Sequence, residues 1–193
     1  MNRHYISALI LILVSFIAVS CSNEYSPKPS GYFRIALPEK KYQPFDTLFP
    51  FYFEYPVYAR IVHDQLASKE PYWINIDFPR FQGRIHLSYK VVNGNLSKYQ
   101  EDSRTMALKH MSKSTGITEQ VINIPDKKVY GLIYTIQGSG VASTYQFYLT
   151  DSTRNFVRGA LYFNVSPNND SLAPVISFIQ SDIRHIIETF HWK

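Results

Sequence analysis

The stretch EQVINIPDKKVYGLIYTIQGSGVASTYQFYLTDSTRNFVRGALYFNV, residues 119–165, decides the fold. Its runs of β-branched and aromatic residues, EQVINIP, KKVYGLIYTI, ASTYQFYLT and NFVRGALYFNV, are typical of strands. The polar segments that separate these runs, PDKK, QGSG and DSTR, are typical of turns. Because connections this short favour hairpins, the stretch predicts a meander of four antiparallel strands.

Strand signals also occupy the segment before this meander. YWINIDFP (72–79) and GRIHLSYKV (83–91) both alternate apolar with polar residues, and the short linker before Gly83 favours a hairpin between them. Further upstream, prolines recur six residues apart from Pro38 to Pro56, which excludes a helix and favours extended or edge segments. The shorter strands predicted there are GYFRIALP (31–38), FYFEYP (51–56) and YARIVHD (58–64).

A polar, helix-forming segment, LSKYQEDSRTMALKHMSKS (96–114), interrupts the strands. Ser97 with Gln100 or Glu101 offers a capping arrangement at its start, and Gly116 is expected to stop the helix. The weakly apolar stripe of this helix is expected to contain Tyr99, Met106 and His110, with Leu96 and Ala107 near it. A single apolar face predicts a helix that lies on one surface of the sheet.

The C-terminal segment SLAPVISFIQSDIRHIIETFHW (171–192) carries the clearest helix signal. Its broad apolar stripe comprises Val175, Ile176, Ile179, Ile183, Ile186, Ile187 and Phe190. Pro174 is expected in the first turn, where a missing backbone N–H is tolerated. The order of strands, helix, strands and helix predicts an α+β fold, a largely antiparallel twisted sheet covered by helices. The second half also resembles the Mog1/PsbP-like sandwich.

The only cysteine, Cys21, follows an uncharged apolar run of about 15 residues, shorter than the roughly 20 that span a membrane. AVSC (18–21) resembles the lipobox of bacterial lipoproteins, although Ala18 stands where Leu, Ile or Val is usual. This resemblance implies that residues 1–20 are a cleaved signal peptide and that Cys21 carries diacylglycerol and a further acyl chain such as palmitate. An ordinary secreted protein with an incidental free cysteine and an uncleaved membrane anchor are the alternatives.

The lipobox interpretation divides the chain into three parts. Residues 1–20 are the signal peptide, residues 21–31 are the lipidated cysteine with a flexible tether, and residues 32–193 are a single α+β domain. The tether is rich in proline and is expected to be partly extended, so that it reaches about 30 Å from the membrane. Several acyl chains anchor a protein firmly, whereas one chain binds a membrane only marginally.

The composition limits the functional classes. A hydrophobic content of 45% excludes general disorder, and the basic residues are scattered, unlike the basic strip of a protein that binds nucleic acid. The histidines form no i, i+4 ligand pair, GSG (138–140) is read as a hairpin turn, and no phosphate-binding glycine loop occurs. Glu54 and Asp77 are no better than a chance pair of carboxylates. No catalytic, metal-binding or cofactor-binding residue is therefore assigned, and an enzyme is not expected.

Aromatic residues make up 16% of the chain and are dense between residues 42 and 81. Trp73 and Phe81 are the candidates for a surface that stacks on a glycan or a protein partner, and a sheet core with wet tyrosines is the simpler explanation of the same density. DTL (Asp46–Leu48) and DSL (Asp170–Leu172) resemble the acceptor motif of O-glycosylation in Bacteroides-type bacteria.

Three longer stretches, PKPSGYFRIALPEKKYQPFD, YWINIDFPRFQGRIHLSYK and VASTYQFYLTDSTRNFVRGALYFNVSPNND, resemble the gliding-motility lipoprotein family GldD. The resemblance extends from the lipobox to the C-terminus. It implies a lipoprotein of the cell envelope that is needed for gliding and for the associated type IX secretion, with other proteins of that machinery as partners. It transfers no catalytic residue, and only Cys21 matches a functional residue of the family.

Two functional hypotheses follow. The first is a non-enzymatic component that supports assembly of the gliding and secretion machinery, held by its lipid on the inner or outer membrane and facing the periplasm. The second is a periplasmic module that binds peptidoglycan or another glycan through its aromatic-rich half. Glycan binding predicts a groove with exposed, coplanar aromatic rings, whereas a hydrolase would need a cleft with two mutually oriented titratable groups.

Overall fold

The computed structural model describes residues 35–64 and 69–193, which lie in the compact unit Arg34–Lys193. Its strands are β1 (Tyr42–Phe45), β2 (Phe51–Pro56), β3 (Arg60–His63), β4 (Ile74–Phe78), β5 (Gly83–Val91), β6 (Gly116–Ile124), β7 (Val129–Gln137), β8 (Tyr145–Thr150), β9 (Asn155–Phe163) and β10 (His191–Trp192). Seven of them form the large sheet, in the order β3-β4-β5-β9-β8-β7-β6, and the small sheet has the order β1-β2-β10. The helices are α1 (Leu96–Leu108) and α2 (Asn169–Thr189).

The predicted meander is confirmed, since β6, β7, β8 and β9 are successive antiparallel neighbours. The predicted hairpin of β4 and β5 is also present, and β9 pairs with β5 along nine residues to join the two halves into one sheet. Every pairing in both sheets is antiparallel. The α+β prediction, a largely antiparallel sheet covered by helices, is therefore confirmed.

Two hairpins of the large sheet use the same connection. A 3₁₀ turn that begins with proline, Pro79–Phe81 or Pro125–Lys127, is followed by a residue in the left-handed region, Gln82 with a φ of 49° or Lys128 with a φ of 51°. The N–H of that residue bonds back to the carbonyl of the proline, at 3.3 Å and 3.0 Å respectively. Proline fixes the φ angle that the first turn residue needs, which explains its place in both loops.

The N-terminal strand prediction is partly wrong. Residues 35–38 of the predicted strand 31–38 have no regular structure, and the first strand among the described residues is β1, which contains Pro44. Because proline has no N–H to donate, β1 pairs with β2 alone at the edge of the small sheet. The signal peptide 1–20, Cys21 and the tether 21–31 lie outside the described residues.

Helix α1 begins at Leu96 as predicted, but its capping and its C-terminal end differ from prediction. Asn95 precedes its first residue and makes no side-chain capping bond to the helix, so the proposed capping role of Ser97 is wrong. The helix ends at Leu108, and Gly116, the predicted stop, instead begins β6. Its buried residues are Ser103 and Ala107. The predicted stripe is confirmed at Tyr99, Leu96 and Ala107, which belong to or pack against one apolar cluster. It is wrong at Met106, which is exposed, and His110 lies beyond the end of the helix.

Helix α2 confirms the predicted closing helix, and its apolar stripe is buried as expected. Ile179 and Ile183 have no exposed surface, and Ile187 is 5% exposed. The helix begins at Asn169, capped by the Asn168 side chain, so Pro174 lies inside the helix and not in its first turn. The helix also ends at Thr189, because the last residues turn away to pair with β2 as β10.

The two helices cover opposite faces of the large sheet. Helix α2 and the small sheet share the main core cluster with one face, here the inner face. Helix α1 packs on the other, outer face, where Ala107 belongs to a second cluster with Tyr148 of β8 and Phe156 of β9. All six residues of β8 are buried, because this strand is covered on both faces. The outer face over β3, β4 and β5 carries polar side chains such as Asp77 and Arg84.

Candidate functional site

The two predicted aromatic candidates lie at opposite ends of β4. Trp73 precedes that strand, donates its indole N–H to the Tyr89 carbonyl at 2.9 Å, and has Lys90 Nζ 4.9 Å from its ring centroid. Phe81 follows the strand in a 3₁₀ turn and packs edge-on against Phe178 of α2, with ring centroids 5.7 Å apart. The fold therefore does not bring the two rings together, and both rings pack against other parts of the chain.

The densest polar cluster surrounds Asp182, a residue of α2 whose side chain has no exposed surface. Lys40 Nζ donates to Asp182 Oδ1 at 2.6 Å, and Tyr42 Oη donates to the same oxygen at 3.0 Å. Tyr58 Oη lies 2.9 Å from Oδ1 and 2.8 Å from Oδ2. Lys40 Nζ also donates to the Phe178 carbonyl at 2.7 Å and lies 3.4 Å from the centroid of its ring. We call Lys40, Tyr42, Tyr58 and Asp182 the Asp182 cluster.

The electrostatics of the Asp182 cluster fit a structural contact that joins α2 to the residues around β1. Burial and the neighbouring carboxylate raise the pKa of both Tyr42 and Tyr58 above that of an ordinary tyrosine, so both phenols keep their protons and act as donors. Burial lowers the pKa of Lys40, and the hydrogen bond and charge of Asp182 oppose that shift. A buried carboxylate with three donors is satisfied as an acceptor and has no surface on which to meet a substrate.

A second set of contacts continues from the Asp182 cluster along α2. The rings of Tyr42 and His185 stack with centroids 3.5 Å apart, and His185 Nε2 lies 2.8 Å from Glu54 Oε2. The Glu54 backbone N–H donates to Thr189 Oγ1 at 3.0 Å. These bonds attach β1 and β2 to three successive turns of α2. The arrangement holds the N-terminal part of the domain against its C-terminal helix.

The signal for this cluster was present in the sequence. Asp182 stands among Ile179, Ile183 and Ile186, so it is the one carboxylate within the apolar stripe of the closing helix. A carboxylate on a buried face needs a paired cation or hydrogen-bond donors. Its partners lie 124 to 142 residues away in sequence, so the pattern of the helix alone could not name them.

A hollow of about 700 Å³ opens on the outer face of the large sheet, over the ends of β4, β5 and β9. Asp77 and Arg84 form its best-defined pair, with Nε–Oδ1 at 2.5 Å and Nη2–Oδ2 at 2.9 Å. His86 and Tyr162 also line it, with ring centroids 5.6 Å apart. Burial and the Arg84 charge lower the pKa of His86, which favours a neutral imidazole.

The chemistry of the described residues is limited in two respects. Across residues 35–64 and 69–193, no group of three or more His, Cys, Asp or Glu side chains is arranged to hold a metal ion. Glu54 and Asp77, considered as a carboxylate pair, have different partners in different sheets, His185 and Arg84. In the same described ranges, neither helix is long and apolar enough to cross a membrane.

Comparison with known proteins gives a family match and similarity to solved structures. The sequence profile of the family described as gliding motility lipoprotein GldD matches residues 22–192. The solution structure of cyanobacterial PsbP (CyanoP) from Synechocystis sp. PCC 6803 is similar at 12% sequence identity and a TM-score of 0.49, over 87% of this chain and 100% of that chain. No curated protein matches the sequence.

Proposed function

This chain belongs to the gliding motility lipoprotein GldD family, and from that membership we propose that it is a lipid-anchored, non-enzymatic component of the gliding machinery. Membership of a lipoprotein family implies association with a membrane of the cell envelope. We further propose that Cys21 carries the lipid, that residues 1–20 are removed, and that the domain faces the periplasm. Its partners are then other gliding and type IX secretion proteins.

The observation that carries the proposal is the extent of the family match, which covers residues 22–192 and so includes nearly all of the chain after the lipobox cysteine. The Asp182 cluster supports a role through position and contact. Lys40 and Tyr42 follow the predicted tether closely in sequence, and both are bonded to a buried residue of the closing helix. The first described residues of the domain are thus fixed to its closing helix, which suits a role that depends on position and not on turnover of a substrate.

The decisive experiment compares complementation of a deletion strain by the wild type and by Cys21→Ala. The deletion is expected to abolish spreading on surfaces and to mislocalise secreted adhesins. Cys21→Ala should lose acyl labelling, leave the membrane fraction and fail to restore spreading. Ser22→Ala is the matched control next to the lipidation position and should restore all three. Normal gliding and secretion in the deletion strain would overturn the proposed function.

The non-enzymatic part of the proposal has its own test. Asp77→Asn and Glu54→Gln change two carboxylates outside the Asp182 cluster that pair with Arg84 and His185. Both variants should restore gliding if they fold, because no turnover depends on them. Hydrolysis of isolated peptidoglycan by the purified protein, or loss of gliding in a folded variant of one titratable residue, would contradict a contact-only role.

A further inference from the structure

The open edge of β6 stands out among the strand edges of the described residues. This strand ends the large sheet, and its nine residues, Gly116–Ile124, pair with β7 on one side only. The register with β7 runs one to one from the pair of Gly116 and Gln137 to the pair of Ile124 and Val129, without a bulge. An unpaired edge of this length presents a row of N–H and C=O groups on which another strand can pair.

Sheets protect such edges by keeping the edge strand short, or by placing proline or charged residues, above all lysine, on it. The other edges described here follow that rule. Strand β3 has four residues and carries Arg60 and His63, β1 has four residues and contains Pro44, and β10 has two residues. Strand β6 has neither proline nor a basic residue, and Glu119 is its only charged residue. The sequence of β6 therefore leaves this edge open to pairing.

Hydrogen bonding in the neighbouring strands shows which backbone groups of β6 point to the open edge. The Ile136 N–H of β7 donates to the Thr144 carbonyl at 2.9 Å, so Ile136 faces β8. Since successive residues of a strand point these groups to opposite sides, Thr135 faces β6, where Thr118 lies opposite it. The direction alternates along β6 in the same way. The residues whose N–H and C=O groups are left for the open edge are then Ile117, Glu119, Val121 and Asn123.

The same alternate residues carry the side chains on the outer face of this edge. Val121 lies opposite Leu132 of β7 and Glu119 lies opposite Tyr134, and both β7 residues belong to or pack against the cluster on the face that α1 covers. Val121 is 72% exposed, more than any other large apolar side chain in a described strand. An open backbone edge and an exposed apolar side chain therefore coincide at Val121, and solvent reaches both.

We infer that β6 pairs with β6 of a second copy of this chain, antiparallel about a two-fold axis at Val121. In this register Val121 meets Val121 of the second copy, and Glu119 lies opposite Asn123, whose amide can donate to the carboxylate. Each of these pairs exchanges two backbone N–H···O bonds, because both members point to the edge. The inference goes beyond the gliding role and does not depend on it.

The side chains of β6 distinguish this register from the two nearest symmetric ones. An axis at Glu119 would place two carboxylates directly opposite each other, which is destabilising. An axis at Gln120 would place Glu119 opposite the apolar Val121, and Ile117 opposite Asn123. With the axis at Val121, the two valines cover each other and no like charges are opposed. The edge is therefore self-complementary, as a two-fold interface requires.

The oligomeric state of the full-length protein in non-ionic detergent tests the dimer. Sedimentation velocity up to about 100 μM should show a monomer–dimer equilibrium. Val121→Lys should raise the dimer Kd about 10-fold or more, because two ammonium groups would meet at the axis. Val62→Lys, the same change at an exposed valine of the opposite edge strand β3, should leave the Kd unaltered. A protein that stays monomeric, or equal effects of the two changes, would overturn the proposal.

Two variants at the exposed Asn123 test the register with changes of opposite sign. Asn123→Lys places a cation opposite Glu119 in both symmetry-related pairs and should lower the dimer Kd about 2- to 30-fold. Asn123→Glu places a carboxylate there and should raise the Kd by a similar factor. Because this side chain is exposed, neither change should impair folding. A shift of the Kd in the same direction for both variants would refute the pairing of Glu119 with Asn123.

Hydrogen exchange of single amides reads the proposed bonds directly. In the dimer the N–H groups of Glu119, Val121 and Asn123 are bonded to the second copy, whereas that of Ile117 lies beyond the paired stretch. Exchange of the first three amides should slow as protein concentration rises, and exchange of Ile117 should not change. Val121→Lys should abolish this concentration dependence. Fast exchange of the three amides at every concentration would show that β6 is not paired with a second copy.

Discussion

Lys40 and Asp182 lie 142 residues apart in sequence, and their side chains form an ion pair with an Nζ–Oδ1 distance of 2.6 Å. The carboxylate is wholly buried, while the lysine side chain is 30% exposed. The adjacent residue, Lys41, pairs with Glu39 at 2.9 Å, but both side chains of that pair are mostly exposed. Two adjacent lysines thus form two different kinds of ion pair, one with a buried carboxylate and one on the surface.

The first prediction compares these two pairs. Asp182→Ala leaves Lys40, Tyr42 and Tyr58 without their common acceptor and should lower the free energy of unfolding by about 3–5 kcal/mol, as expected when one partner of a buried pair is removed. Lys41→Ala should change it by less than about 1 kcal/mol. Denaturant unfolding of both variants measures the difference. Equal losses in the two would mean that the Asp182 cluster does not hold the N-terminal segment to the helix.

The second prediction concerns the packing of α2. Ile183 has no exposed surface, and Ile183→Ala should lower the free energy of unfolding by about 2–5 kcal/mol through lost apolar contacts and the cavity that remains. Ser177→Ala, an exposed position of the same helix, should stay within about 0.5 kcal/mol of the wild type. Calorimetric or denaturant unfolding provides the values, and a near-neutral Ile183→Ala would show that the helix is loosely attached.

Local pattern was sufficient to predict much of this fold. FYFEYP and GRIHLSYKV became β2 (Phe51–Pro56) and β5 (Gly83–Val91) with the predicted bounds, because each alternates its side chains between a buried and an open face. The stripe of α2 was equally informative, since apolar residues at a period of 3.6 leave one buried face. The C-terminal end of α1 was not predictable from local pattern, because helix-forming residues continue to Ser114 while the helix ends at Leu108 and a 3₁₀ turn follows at Met111–Lys113.

The Asp182 cluster required the tertiary structure. It joins residues that are distant in sequence, and neighbours of this kind depend on how strands and helices pack and on strand order and register. The order β5-β9-β8 places His86 and Gln146 on either side of Ala160, although the chain enters these strands in a different sequence. Alternation along one strand gives the face of a residue but not its neighbours across the sheet.

The third prediction concerns a close approach of two strands. A Cβ atom at Gly131 of β7 would lie 1.8 Å from the backbone oxygen of Tyr148 on β8. Gly131→Ala should therefore force the strands apart and lower the free energy of unfolding by about 1–3 kcal/mol or more. Gly140→Ala is the control, because a Cβ there meets nothing within 4 Å, and it should be neutral or slightly stabilising. Thermal unfolding of the two variants decides, and similar midpoints would refute the steric argument.

The last prediction is a pH dependence that originates in the turn between β8 and β9. Asp151 Oδ1 accepts the backbone N–H groups of Thr153, Arg154 and Asn155 at 2.8 to 2.9 Å, and Oδ2 accepts the Asn155 side-chain amide at 2.7 Å. Burial acts to raise the pKa of Asp151, but these bonds outweigh it and hold the pKa below the ordinary value of 3.8.

A depressed folded-state pKa means that the unfolded chain binds the proton more readily, so stability from this carboxylate is complete above the unfolded pKa of about 3.9 and is lost as pH falls through the folded value. Asp151→Asn keeps the Oδ1 acceptor but has no charge to titrate, so it should be less stable than the wild type near neutral pH and should lose less stability on acidification. Asp126→Asn, in the exposed Pro125–Lys127 turn, controls for a simple change of net charge. Denaturant unfolding between about pH 2 and pH 6 gives the free energy of unfolding of the wild type and of both variants. If Asp151→Asn followed the wild-type profile throughout that range, the turn would not contribute to acid sensitivity.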